Sequence, residues 1–299
     1  MFYTQQCTFF LANGLMRGLK RVYFCNMKER IGVLGCGWLG LGLAQSYVTD
    51  DFVVHGSRQS RKDADSLQEH GIYGFIVQIS ENHDSSNLSE FLRGVSRLFL
   101  TFPPGLRKNP KQDFVAVIHN LLPHIHRSEV KEVIFTSSTG VYGSQQGLVT
   151  PSIVPQPQTE SGRQLLEVEG ILLSQDGFST QIVRLGGLLG GDRHPVKQLA
   201  KLAIVDNPQA PVNLIHKADA IGLLRYLADQ APWHCIYNGV APWHPSKKYF
   251  YEQAAKEMQL PLPKFAEEPG NTNKIVTDPQ IESLGYVFFE PKLGLVQTP

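Results

Sequence analysis

Three glycines, Gly35, Gly37 and Gly40, stand at the spacing G-x-G-x-x-G within residues 31–48, IGVLGCGWLGLGLAQSYV. Gly35 permits a tight turn, Gly37 lets the backbone approach a ligand, and Gly40 lets a following helix press against the preceding strand. The N–H groups of Gly37, Trp38, Leu39 and Gly40 would open a helix whose dipole favours an anion such as the diphosphate of a dinucleotide. The flanks supply the frame. RIGVLG is a short apolar run suited to a buried parallel strand, WLGLGLAQSYV sets Leu39, Leu43 and Tyr47 on one helical face, and DFVVHGS reads as a second strand.

The end of that second strand selects among dinucleotides. A carboxylate about twenty residues past the glycines binds the ribose hydroxyls of NAD. Here Ser57 and Arg58 occupy the position, with Lys62 close behind and the first carboxylate at Asp63. A cation accepts a 2′-phosphate that a carboxylate would repel, so the residues point to NADP rather than NAD.

Two further strand exits carry polar or turn-forming residues. TFPPG ends the fourth apolar run and puts Thr101, Phe102 and Pro103 beside the expected dinucleotide; TSSTGVYG ends the fifth and puts Ser138, Thr139 and Tyr142 near the nicotinamide. Ligands of open parallel sheets sit at such carboxyl ends.

The elements that must position these residues alternate along the chain. Strands are expected at GFIVQI (from Gly74), RLFLTF (from Arg97), VIFTSS (from Val133) and STQIVRL (from Ser179). Helices are expected at DFVAVIHNLLPHI (from Asp113) and ESGRQLLEVEGILLSQ (from Glu160), the latter with Leu165, Val168 and Leu172 on one face. Alternating strands and helices predict an α/β fold with a doubly wound parallel sheet.

At this point the chain resembles the extended short-chain dehydrogenase/reductases, specifically the NAD-dependent epimerase/dehydratase-like group. GCGWLG, FTSSTGVYG, IVRLGGLLG, VNLIHKADAIGLL and IYNGVAPWHPSK come in the family's order from Met27 to the end. The resemblance implies a Rossmann sheet with a small C-terminal substrate lobe, a nicotinamide cofactor, a small-molecule carbonyl, hydroxyl or sugar-nucleotide substrate, and a homodimer through the fourth and fifth crossover helices. It further implies that residues 27–185 form the cofactor domain. Residues 186–299 are then a mixture of substrate lobe, last sheet strand and helices, with the tail KIVTDPQIESLGYVFFEP in the lobe. In VNLIHKADAIGLL, His216 tethers the lobe and Asp219 caps the helix after it.

The family's chemistry uses a serine at the end of the fifth strand and a Tyr-x-x-x-Lys pair on the next helix. Ser138 matches the serine. On the helix, Ser161 falls where the tyrosine belongs and Leu165 where the lysine belongs, and an alkyl chain neither takes a proton nor lowers a neighbour's pKa. Tyr142, four residues past Ser138, is the remaining acid–base candidate. Arg163 is a candidate to bind a substrate anion; the resemblance puts Arg193 and His194, in GGDRHP, in the loop that borders the substrate, and His194 is a candidate to titrate near neutral pH. Two readings stay open: an NADP-dependent oxidoreductase or epimerase, and a non-catalytic NADP-binding sensor.

Composition limits the alternatives. The 299 residues carry 28 basic and 27 acidic side chains, a net charge of +1, so no electrostatic feature points to nucleic acid or a membrane surface. No apolar run reaches spanning length. Cys7, Cys25, Cys36 and Cys235 show no ligand spacing; no metal site is expected, and free thiols in a reducing, cytoplasmic setting are. Residues 1–26 lack Asp and Glu and read as an extension without function, because MKERIGVLGCG opens directly onto the first strand.

Overall fold

The computed structural model describes residues 29–81, 87–107, 109–144, 147–267, 270 and 273–295. The expected extension over residues 1–26 lies outside them. The first half of the chain runs β1 (Arg30–Leu34), α1 (Trp38–Thr49), β2 (Val53–Arg58), α2 (Arg61–Asp65), β3 (Tyr73–Ile76), α3 (Leu88–Leu92), β4 (Val95–Leu100), α4 (Phe114–His126) and β5 (Glu132–Ser138). It continues through β6 (Leu148–Val149), α5 (Glu160–Leu173), β7 (Ser179–Leu185), β8 (Gly187–Leu189), α6 (Val196–Leu199), β9 (Leu214–His216) and α7 (Lys217–Gln230). β10 (Cys235–Gly239), α8 (Lys247–Glu257), β11 (Ile275–Val276) and α9 (Pro279–Ser283) complete it.

Seven strands form one sheet in the order β10-β7-β5-β4-β1-β2-β3, and every neighbouring pair is parallel. From β1 the chain winds outward to β2 and β3 on one side, then returns to place β4 on the other. That reversal opens a crevice at the carboxyl ends of β1 and β4, where such folds bind ligands.

Strand side chains alternate between two buried faces. On β4, Leu98 and Leu100 join α3, α4 and α5 through Phe91, Phe114, Leu121 and Leu172. Phe99 between them joins α1 and α7 through Leu43, Tyr47, Leu223 and Leu227. A third cluster, including Leu189, Val196, Phe250 and Ala254, gathers residues that follow β7.

The C-terminal tail departs from expectation. It does not keep to one cluster: Val276 packs in the first, Ile281 and Tyr286 in the second, and Leu293 in the third. Asp219 anchors it. The buried carboxylate accepts the N–H groups of Phe289 at 2.6 Å and Glu290 at 2.9 Å. The expected capping role therefore passes to His216, whose Nδ1 accepts the Ala218 N–H at 3.3 Å at the start of α7. A carboxylate in the first helical turn can cap or reach outward, and here the tail's backbone donors take it.

Candidate functional site

The glycine turn sits at the carboxyl end of β1. Gly35 has φ +103°, and a Cβ on it would lie 2.9 Å from Phe102. A Cβ on Gly40 would lie 2.3 Å from the Gly35 carbonyl oxygen and 2.6 Å from Thr101 Oγ1. Gly37 differs: its Cβ would meet nothing closer than 3.9 Å. Gly35 and Gly40 are thus required by the protein's own packing, whereas Gly37 faces open space. Gly37 begins α1 with no side-chain cap and no acidic residue in the first turn. The first N–H groups of the helix, at Trp38, Leu39 and Gly40, have no acceptor within the helix.

The neighbouring strand ends hold the turn in place. Thr101 Oγ1 donates to the Gly35 carbonyl at 2.9 Å, and Phe102 packs edge-on against Phe114 at 5.5 Å between centroids. Pro103 is exposed on the loop beyond. Ser57 is 4% exposed; its Oγ accepts the Gly35 N–H at 2.8 Å, and its carbonyl accepts the Cys36 N–H at 3.0 Å. Ser57 was expected to face a phosphate, but its oxygen braces the turn. Arg58, the next residue, has a buried Nε with no hydrogen-bond partner. Burial pushes the Cys36 thiol up to about 12, so the cysteine inside the turn is inert.

Trp38 stands at the mouth of the turn. Its Nε1 donates to Asp192 Oδ1 at 3.1 Å, and its ring carries Lys217 Nζ at 4.9 Å and Arg193 Cζ at 5.2 Å from the centroid. Arg193 therefore lies over the side chain that opens α1. His194, next in sequence, goes elsewhere. It stacks on Phe250 of the third cluster at 5.7 Å, and its Nδ1 accepts the Val196 N–H at 3.2 Å. Burial, aided by Lys197, holds it below the ordinary histidine value. This corrects the expectation of a substrate-facing, near-neutral histidine.

Ser138 ends β5 in register with Leu185 of β7, which pairs in turn with Gly239 of β10. Its Oγ accepts the Gly140 N–H at 3.1 Å, capping a 3-10 turn over Thr139–Tyr142. Thr139 is half-buried beside it. The N-terminus of α5 comes close, since a Cβ on Gly162 would lie 3.1 Å from the Gly140 carbonyl oxygen. Leu165, 6% exposed, is part of the core there.

Tyr142 is not an acid–base group of this site. It is fully buried; its hydroxyl donates to Asn238 Oδ1 at 2.8 Å and accepts from Arg184 Nη1 at 2.8 Å. Burial raises its pKa. Arg184 in turn forks onto Glu169, with Nη2 to Oε2 at 2.6 Å and both side chains 2% exposed, and Ser137 Oγ donates to Glu169 Oε1 at 2.5 Å. This chain of polar groups locks α5 to β5, β7 and β10 directly beneath Ser138. Two misplaced charges in the sequence could have revealed it: an arginine inside the apolar strand STQIVRL, and Glu169 one helical turn after Leu165 on the apolar face.

Arg163 is apart from these groups. Its Nε pairs with Glu160 Oε2 at 3.0 Å, both side chains are 54% exposed, and Nη1 donates to the Gln158 carbonyl at 3.4 Å. Among the described residues no group of His, Cys, Asp and Glu could hold a metal ion, and no helix is long and apolar enough to cross a membrane.

No protein-family model matches the chain. It is 32% identical over 268 residues to protein YeeZ of Escherichia coli strain K12, covering 88% of this chain and 97% of YeeZ. Among solved structures it is similar to a UDP-N-acetylglucosamine 4-epimerase from Methanobrevibacter ruminantium M1 in complex with UDP-N-acetylmuramic acid (TM-score 0.72, 15% identity, 89% of this chain and 96% of that one). It is also similar to a short-chain dehydrogenase/reductase superfamily protein from Agrobacterium tumefaciens with bound NAD (TM-score 0.68, 16% identity, 89% and 92%).

Proposed function

The chain belongs to the family of Escherichia coli protein YeeZ, and from that premise, together with a fold like that of short-chain dehydrogenase/reductases, we propose that it is a member of the extended short-chain dehydrogenase/reductases, binds a nicotinamide dinucleotide, NADP in preference to NAD, and acts on a carbonyl or hydroxyl group of a small substrate of the sugar-nucleotide type. One observation carries the cofactor assignment. The Arg58 Nε is buried without a partner at the end of β2, and a buried polar donor is costly until something accepts from it. A 2′-phosphate is such an acceptor. The residues present also fit the rest of the cofactor. Gly37 leaves open space beside uncapped helical N–H groups, and Arg193 and Lys217 flank Trp38 at the same end of α1.

Bound there, the dinucleotide supplies a hydride carrier. The chain's own contribution is positioning. Ser138 Oγ accepts from Gly140, while among the described residues no acceptor takes its proton. That proton is free to bond a substrate oxygen. Neither Ser161 nor Leu165 replaces the family's phenol and ammonium, and this favours a second reading in which the protein binds NADP without turnover.

Fluorescence titration with NADPH and NADH tests the cofactor assignment. NADPH is expected to bind at least tenfold more tightly, and Arg58→Gln to erase most of the difference, since charge-assisted bonds are worth about 1.5–3 kcal/mol. Equal affinities would refute the NADP choice. NADPH consumption against aldehydes, ketones and nucleoside-diphosphate sugars separates the readings. Tight NADPH binding without turnover on any of them would leave the sensor.

A further inference from the structure

The tail crosses the carboxyl edge of the sheet as a strap, and its first residues lie at the exit of the Ser138 turn. β11 pairs in parallel with β6 just beyond β5. Asn213 clamps the strap: its Nδ2 donates to the Lys274 carbonyl at 2.9 Å, and its Oδ1 accepts the Val276 N–H at 2.7 Å. At the far end Asp278 Oδ2 accepts the Asn238 N–H of β10 at 2.9 Å. The strap is therefore fixed at both ends, and Lys274 is held on it.

Lys274 Nζ donates to the Gly143 carbonyl at 2.7 Å. Gly143 closes the 3-10 turn that Ser138 opens. The ammonium is thus held at the far end of the short turn whose first residue is capped by Ser138. The side chain is half-buried, burial holds its pKa below the ordinary lysine value, and among the described residues no carboxylate lies within ion-pair distance of it. An ammonium has three donors, and among the described residues a single neutral carbonyl answers this one. A half-buried cation with no counter-ion among the described residues favours an anion, because water screens it less than at the open surface.

We propose that Lys274 is an anion-recognising residue of the substrate site, binding a negatively charged oxygen of the substrate at the end of the turn that Ser138 opens. This rests on the reading of the cleft as a site for nucleotide-sugar-like compounds and adds to it the residue that reads the charge. The anionic oxygen belongs either to the diphosphate or to an acidic group on the sugar, and the two sources are separable.

The test uses the full chain saturated with NADPH, titrated calorimetrically with UDP-glucose and with UDP-glucuronic acid. Wild type is compared with Lys274→Met, which removes the charge, and Lys274→Arg, which keeps it. An at least tenfold loss of affinity for both ligands in Lys274→Met, largely recovered in Lys274→Arg, assigns the contact to the diphosphate. The same loss confined to UDP-glucuronic acid assigns it to the carboxylate. NADPH affinity and melting temperature measured on each variant show that the fold and cofactor site survive. Should Lys274→Met destabilise the chain, Lys274→Arg and Lys274→Gln carry the comparison. Unchanged affinities in the charge-removing variant, or no binding of either ligand by wild type, overturn the proposal. Failure of wild type to bind NADPH would instead strike the cofactor reading.

Discussion

Ser57 Oγ accepts the backbone N–H of Gly35 at 2.8 Å, so the penultimate residue of β2 holds the turn that opens α1. The bond is partly buried and spans 22 residues of sequence. Ser57→Ala leaves the Gly35 N–H without a partner, and an unsatisfied buried donor costs about 1–3 kcal/mol. The variant is expected to lose that much stability in urea unfolding and to bind NADPH more weakly, because the turn is no longer braced. An unchanged midpoint would show that the turn holds itself.

Gly37 and Gly40 separate ligand demands from packing demands. Gly37→Ala meets open space at an ordinary φ of −77°; stability is expected within about 0.5 kcal/mol of wild type, with NADPH affinity reduced at least tenfold. Gly40→Ala forces a Cβ to 2.3 Å from the Gly35 carbonyl oxygen, and such overpacking costs about 1–3 kcal/mol. Thermal unfolding with and without NADPH distinguishes them. If both variants lose affinity and stability in step, Gly37 has no role specific to the ligand.

Tyr142→Phe keeps the ring and removes the hydroxyl between Arg184 and Asn238. The expected result is a stability loss of about 1–3 kcal/mol and, for any substrate turned over, an unchanged pH dependence of kcat. A lost acidic or basic limb in that profile would restore Tyr142 to the chemistry. Glu169→Gln breaks the buried pair with Arg184 and is expected to cost more, about 3–5 kcal/mol.

Asp278 makes stability depend on pH. Its carboxylate is 7% exposed, and burial pushes its pKa up from 3.8 to about 6, although it accepts N–H bonds from Asn238 and Gln280. Between these values the folded chain binds this proton and the unfolded chain releases it. The group's contribution therefore falls as pH rises from about 4 to 6 and is flat outside that window, with each unit worth about 1.4 kcal/mol. Asp278→Asn is expected to remove this slope from unfolding free energies measured across the window. A variant that keeps the wild-type slope would place the titration on another group.

Much of the sheet was legible because its strands are buried on both faces and read as uninterrupted apolar runs, bounded by glycines and polar exits. The strand STQIVRL and the helix from Glu160 fell where the pattern placed them, since helical spacing and strand length are local properties of the chain. The short elements, α2, α3, α6 and the β6–β11 and β8–β9 pairs, carry too few residues to show a period. Their bonds come from partners distant in sequence. β11 pairs with β6 across more than a hundred residues, and no local pattern encodes that.

The sequence alone determined the glycine turn, the strand–helix alternation and the absence of a Tyr-x-x-x-Lys pair, because each depends on residue type at short spacing. Tertiary structure decided which polar groups meet. It sent Arg193 to Trp38 and His194 to Phe250, sealed Tyr142 against Arg184 and Asn238, and brought Lys274 to the turn that Ser138 begins. The reason is physical: a side chain's burial and partners, and with them its charge and proton affinity, are set by segments that the chain brings together only when it folds.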